Sequence, residues 1–178
     1  MGPALDRIAL EVSRLVKWMP DVKRACEFSK ENRYLLSAIC LRESGAGYSP
    51  GYLPTGSASG YGDHGHGFGL FQIDNRYHAD FINGATSNDP YYQCLKACSI
   101  LATARVAITK RISLPPDDLE YATVAAYNAG VNAVVHQLAA GQHPDMATTG
   151  KDYSQWVMRK ASELILYDAK QAVGPGLA

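Results

Sequence analysis

Five glycines, at positions 60, 62, 65, 67 and 69, crowd one short stretch of this 178-residue chain. A glycine has no Cβ, loses more conformational freedom in a helix than any other residue, and visits φ > 0 readily. A segment this dense in glycine reads as turns, and Gly67 to Asp74 alternates well enough for a short strand. Any sheet built there is small. The sequence around it has helical spacing instead. Leu5, Ile8, Ala9, Val12, Leu15, Val16 and Met19 mark a helix over residues 4–18 that ends near Pro20. A second helix is expected from about Asn32 to Ser44, stopped by Gly45, with an irregular Gly-, Ser-, Pro- and Tyr-rich loop from Ala46 to Ser59. Asp89-Pro90 opens a long helix that runs through Ile108 and stops before Pro115-Pro116, and Asp117-Asp118 caps the next. Further helices are expected over Val131–Ala140 and from Asp152 to about Ala172. The fold class is therefore α+β, predominantly α-helical, with a small β element at the glycine run. Residues 1–178 are expected to form one domain, with 173–178 as a loose tail.

Composition limits what such a chain can do. With 47% hydrophobic residues it can bury a core without metals or cross-links. Lys and Arg total 17, as do Asp and Glu, and no basic run is long enough to track phosphates, so nucleic acid is set aside as a partner. No apolar stretch approaches the roughly twenty residues that span a bilayer, so no membrane insertion is expected. The start, Met1-Gly2-Pro3-Ala4-Leu5-Asp6, lacks the regions of a signal peptide. A removed signal, release by lysis and excision from a longer protein all fit. Cys26, Cys40, Cys94 and Cys98 allow two disulfides in three pairings, or four buried thiols.

The chemistry lies in three acids. Breaking a glycosidic bond requires one carboxylic acid kept protonated to supply the leaving oxygen, and another kept ionised to activate water. Glu43 closes the apolar run Tyr34 to Leu41, where low dielectric disfavours ionisation and suits a proton donor. Asp63 and Asp74 lie among glycines, histidines and polar groups that solvate an anion, which suits the base side. The glycines let a bulky polymer approach the main chain, as the floor of a cleft would. Two other readings of the run are weaker. Gly60-Tyr61-Gly62-Asp63-His64-Gly65 satisfies G-x-G-x-x-G but has no surrounding βαβ unit. Asp63, His64, His66, Asp74 and His78 lack the helical frame of a zinc peptidase, so neither metal nor cofactor is expected.

Arg42-Glu43-Ser44, Gly60-Tyr61-Gly62-Asp63, Gly67-Phe68-Gly69-Leu70-Phe71-Gln72-Ile73-Asp74, Arg76-Tyr77-His78, Ala126-Tyr127-Asn128-Ala129-Gly130 and Asp152-Tyr153-Ser154 together resemble the goose-type lysozymes. That group is family 23 of the glycoside hydrolases, with soluble lytic transglycosylases and some microbial chitinases among its relatives. The resemblance spans roughly residues 34 to 156 and implies a lysozyme-like fold. It implies Glu43 as general acid, Asp63 and Asp74 as the acids that hold and activate water, and Gln72, Ile73, His78, Tyr127, Asn128 and Tyr153 as substrate contacts. The loop over residues 46 to 59 is longer than in vertebrate members of the family. The cysteines do not follow the vertebrate disulfide pattern, so no bridge is carried over.

The implied activity is inverting hydrolysis of β-1,4 bonds in peptidoglycan, between N-acetylmuramic acid and N-acetylglucosamine, by an extracellular monomer. A carboxylate separation of roughly 6.5 to 9.5 Å accompanies inversion. Chitin oligosaccharides are the nearest competing substrate. Lytic transglycosylation and non-catalytic glycan binding are the remaining alternatives.

Overall fold

The structure, a computed structural model, describes residues 3–172. The chain divides into two compact units, one formed by the chain up to Ala97 and again from Lys160, the other by Cys98–Arg159. Both boundaries fall inside helices. The expected loose tail at 173–178 lies outside the described residues.

The first unit begins with α1 (Pro3–Leu15), α2 (Met19–Ser29) and α3 (Arg33–Ser44). Pro20, expected as the end of one helix, instead sits in the first turn of α2, where its missing N–H breaks no helical hydrogen bond. The third helix is sharply bounded. Asn32 Oδ1 accepts from the backbone N–H of Tyr34 at 2.9 Å and of Leu35 at 3.4 Å, a cap typically contributing about 1 kcal/mol. Gly45 ends the helix in the left-handed region at φ 58, and its N–H bonds back to Leu41 O at 3.0 Å. Between these caps Leu35 to Leu41 is buried without interruption, and the helix packs against both α1 and α2.

After an irregular loop comes a three-stranded antiparallel sheet in sequence order: β1 (Tyr61–Gly62), β2 (Gly67–Phe68) and β3 (Ile73–Asp74). The expected single strand over 67–74 is thus two strands folded on a tight turn. The short helix α4 (Ala79–Ile82) follows, then α5 (Pro90–Thr109), whose first part belongs to this unit. The end of α8 (Tyr153–Ala172) completes it. There Lys160, only 5% exposed along its side chain, bonds Glu11 at 2.8 Å and Glu163 at 2.5 Å.

In the second unit, α6 (Pro116–Ala129) and α7 (Val131–Ala139) gather Ala104, Ile108, Ala122, Ala125, Ala126 and Val134 into a core. Pro115 occupies the cap position of α6, and Asp117 and Asp118 lie in its first turn, where acids complement the helix dipole. A buried acid, Asp145, 1% exposed, caps α8 from outside the helix. Its carboxylate accepts from the N–H groups of Ser154 at 2.7 Å and Gln155 at 3.0 Å at the start of α8. All four cysteines are buried and none is in a disulfide. No helix among the described residues is long and apolar enough to cross a membrane.

Candidate active site

Glu43 is the penultimate residue of α3 and is half-buried. The helix end beneath it is dry. Burial pushes the Cys40 thiol up to about 12, opposed by a hydrogen bond with Ser44 and reinforced by the charge of Glu43. Ser44 is fully buried and fastens this end in place: its Oγ donates to Leu70 O at 2.7 Å, with a longer contact to Cys40 O at 3.2 Å, and accepts from Gly47 N–H at 3.0 Å. Leu70 lies in the turn between β2 and β3, so the helix that bears Glu43 is tied to the turn leading into Asp74.

The register of the sheet places Asp74 in one row with the glycine that precedes Asp63. Tyr61 pairs with Phe68 and Phe68 with Ile73, while Gly62 pairs with Gly67 and Gly67 with Asp74. Directly opposed residues share a face. Gly62, Gly67 and Asp74 therefore form one row, and Asp63 follows immediately at its far end. A methyl group on either glycine would collide with the side-chain oxygen of Gln72. The close approach these two glycines permit is thus made by the protein's own Gln72, which corrects the expectation that they admit the polymer. The Gln72 amide nitrogen donates to Gly69 O at 2.9 Å, holding it across the row beside Asp74.

Backbone strain gathers in the same place. Asp63, His64 and Gln72 adopt left-handed φ values of 47, 53 and 46 without being glycine. Such conformations persist only where the surroundings enforce them, and they concentrate at functional sites.

The two aspartates differ in environment. Arg76 grips Asp74: its backbone N–H donates to Oδ1 at 2.8 Å, Nε to Oδ1 and Oδ2 at 2.9 and 3.1 Å, and Nη2 to Oδ2 at 2.5 Å. This bonding holds the Asp74 carboxyl below its usual value, partial burial opposing and the nearby His66 adding to the effect. Asp63 is exposed, and its charge also reaches Arg76. His78 follows as the cap residue of α4, its N–H bonded to Asp74 O at 3.0 Å. Burial lowers its pKa, the charge of Lys96 lowers it further and Asp74 opposes them, so its imidazole is neutral near pH 7. Among the described residues, no three of the His, Cys, Asp and Glu side chains are grouped to hold a metal ion.

One residue that sequence reasoning passed over braces this region. Gln93, fully buried on α5, accepts from Leu70 N–H at 2.9 Å and donates to Ala58 O at 2.6 Å and Ser87 O at 2.7 Å. A polar side chain on the otherwise apolar start of a helix was the signal available for it. The long loop before the sheet is also ordered by its own bonds, the Tyr52 hydroxyl donating to Ser57 O at 2.5 Å and accepting from Gly60 N–H at 3.2 Å.

The remaining expected contacts behave differently from one another. Ile73 is 1% exposed and Tyr153 2%, so these side chains offer a glycan no surface in this conformation. In the second unit Tyr127 is half-buried, and Asn128 is exposed with its Oδ1 accepting from Thr149 N–H at 3.0 Å.

Comparison with known proteins decides the family. The family model described as lysozyme g matches residues 7–163. This chain belongs to the lysozyme g family. Lysozyme g of Gallus gallus is 28% identical over 152 residues, covering 85% of this chain. The chain spans 65% of the length of that relative, just under two thirds. Every residue singled out above, from Glu43 to Tyr153, falls within the stretch matched by the lysozyme g family.

Proposed function

We propose that this protein is a glycoside hydrolase that cleaves the β-1,4 bonds of peptidoglycan between N-acetylmuramic acid and N-acetylglucosamine, with inversion. The observation that carries the reading is the Ser44 to Leu70 hydrogen bond at 2.7 Å, which ties the helix end bearing Glu43 to the turn leading into Asp74. Three carboxylates on one compact unit provide an acid and a base side for the two proton transfers of an inverting mechanism. Membership of the lysozyme g family supports the same assignment.

In this mechanism Glu43 gives its proton to the glycosidic oxygen as the bond to the anomeric carbon breaks. A water held by Asp63 and Asp74 attacks that carbon from the opposite face. Gln72 and the neutral His78 stand beside Asp74 and supply hydrogen bonds to the sugar. Asn128 and Tyr127 are carried as glycan contacts on the family resemblance alone. A peptidoglycan substrate places the work outside the cytoplasmic membrane.

Digestion of purified peptidoglycan and of chitin oligosaccharides, read by mass spectrometry, tests the reading. Soluble muropeptides with reducing ends are expected. Anhydro ends would replace hydrolysis with transglycosylation, release from chitin alone would change the substrate, and wall binding without release would leave only a glycan-binding module.

A further inference from the structure

The two aspartates stand in unequal surroundings. Both oxygens of Asp74 are occupied by Arg76, through its backbone N–H, Nε and Nη2. An ionised carboxylate has about four acceptor positions, and four short contacts from one residue use most of them. The contact is a chelate from two residues along the chain, so it forms within a single turn. The carboxylate of Asp63, by contrast, accepts no hydrogen bond from any described residue and is exposed at the end of the same row. Its backbone is held at φ 47, which costs free energy for any residue with a Cβ.

We propose that Arg76 is a positioning residue that divides the labour of the two aspartates, holding Asp74 as a fixed anion and leaving Asp63 to take the proton from the attacking water. The proposal rests on the hydrolase reading above. In the step it describes, the water oxygen forms the new bond to the anomeric carbon, and the bond to the leaving oxygen breaks with its electron pair. Glu43 protonates the leaving oxygen, and the proton lost by the water passes to Asp63. A carboxylate engaged by a guanidinium is a weak base, since accepting a proton would discard its charge-assisted bonds. Asp74 then contributes a fixed negative charge near the positive charge that develops on the sugar ring.

The charged and titratable groups around Asp74 are Arg76, His66 and His78, with Asp63 reached through Arg76. His66 makes its own contact with Asn75 Oδ1 at 3.3 Å, and the backbone N–H of His78 bonds to Asp74 O at 3.0 Å.

Azide distinguishes the roles, because it attacks without giving up a proton and so replaces a missing base but not a missing anion. Asp63→Asn should lose on the order of 10²- to 10⁴-fold in kcat. Sodium azide should then restore turnover, yielding a glycosyl azide of inverted configuration. Asp74→Asn should lose activity without azide rescue. Arg76→Ala should reduce kcat by about ten- to a hundredfold and move the acidic limb of the kcat/KM profile to higher pH, whereas Arg76→Lys should recover part of both. Rescue of Asp74→Asn in place of Asp63→Asn would overturn the proposal. So would an Arg76→Ala enzyme that loses thermal stability while its acidic limb stays put, since that is a structural role only. A parallel Glu43→Gln enzyme separates the two levels: turnover there sinks the hydrolase reading, while its silence with azide rescue at Asp74 sinks only the division of labour.

Discussion

The Ser44 hydroxyl donates to the carbonyl oxygen of Leu70 at 2.7 Å, fastening the residue after Glu43 to the turn that leads into Asp74. Ser44 is fully buried, so neither group has water as an alternative partner. Replacing Ser44 with Ala orphans Leu70 O, while the Gly47 N–H loses its bond to Ser44 Oγ at 3.0 Å but keeps the one to Ser44 O at 2.9 Å. The expected cost is about 1–3 kcal/mol for such buried groups. Urea denaturation should show it as a lower midpoint with unchanged slope, and kcat should fall more than KM rises. Wild-type stability and kcat together would show that the tie positions nothing.

Gln93 is the second brace. Gln93→Leu keeps the volume nearly constant but orphans Leu70 N–H, Ala58 O and Ser87 O at once. At about 1–3 kcal/mol for each orphaned group, the loss should be at least about 3 kcal/mol. Calorimetry should record a thermal midpoint lower by roughly 2–4 °C for each kcal/mol lost. A shift within error would mean that solvent satisfies these three groups.

A methyl group at residue 67 would strike the Gln72 amide, which is half-exposed and can swing aside. Gly67→Ala should therefore cost only about 1 kcal/mol, chiefly by breaking the Gln72 Nε2 bond to Gly69 O. Activity should suffer more than stability. Because both changes act through Gln72, Gly67→Ala combined with Gln72→Ala should be no less active than Gln72→Ala alone. Additive losses in that cycle would contradict the placement of Gln72 across the glycine row.

Two lowered pKa values make the fold sensitive to acid. His78 lies below its usual 6.5 because of burial and Lys96, so between its folded value and 6.5 the unfolded chain binds more protons and stability rises with pH. Asp74 lies below its usual 3.8 because of Arg76, so its contribution is present above that value and lost as pH falls through the folded one. Stability should thus decline in two stages on acidification, the first near neutrality and the second in the acid range. His78→Gln should flatten the first stage and Arg76→Ala the second, as followed by chemical denaturation across the pH range. Profiles that superimpose on wild type would rule out these linkages.

Much of this arrangement was legible from local rules. Asn32 and Gly45 bound α3 as cap residues do, and the glycine run disclosed a small β element. The second helix was hidden because Pro20 marks a stop and a start equally well, and only the partners of its neighbours decide between them. The fold of 67–74 into two strands was hidden because its turn places Gln72 in a left-handed conformation that its residue type disfavours. Glycine spacing disclosed close approach but not its partner: at residues 62 and 67 that partner is Gln72. The three acids are legible because hydrolysis of a glycosidic bond calls for an acid and a base side, whereas Gln93 braces Leu70, Ala58 and Ser87 through tertiary contacts that the sequence does not show.

The most direct measurement compares wild type with Glu43→Gln on purified peptidoglycan, following the release of new reducing ends while circular dichroism confirms that both fold. Steady release is expected from the wild type and none above background from the variant, with its thermal midpoint essentially retained. Release by Glu43→Gln at a comparable rate would contradict the assignment of Glu43 as the proton donor, and with it the mechanism built around it.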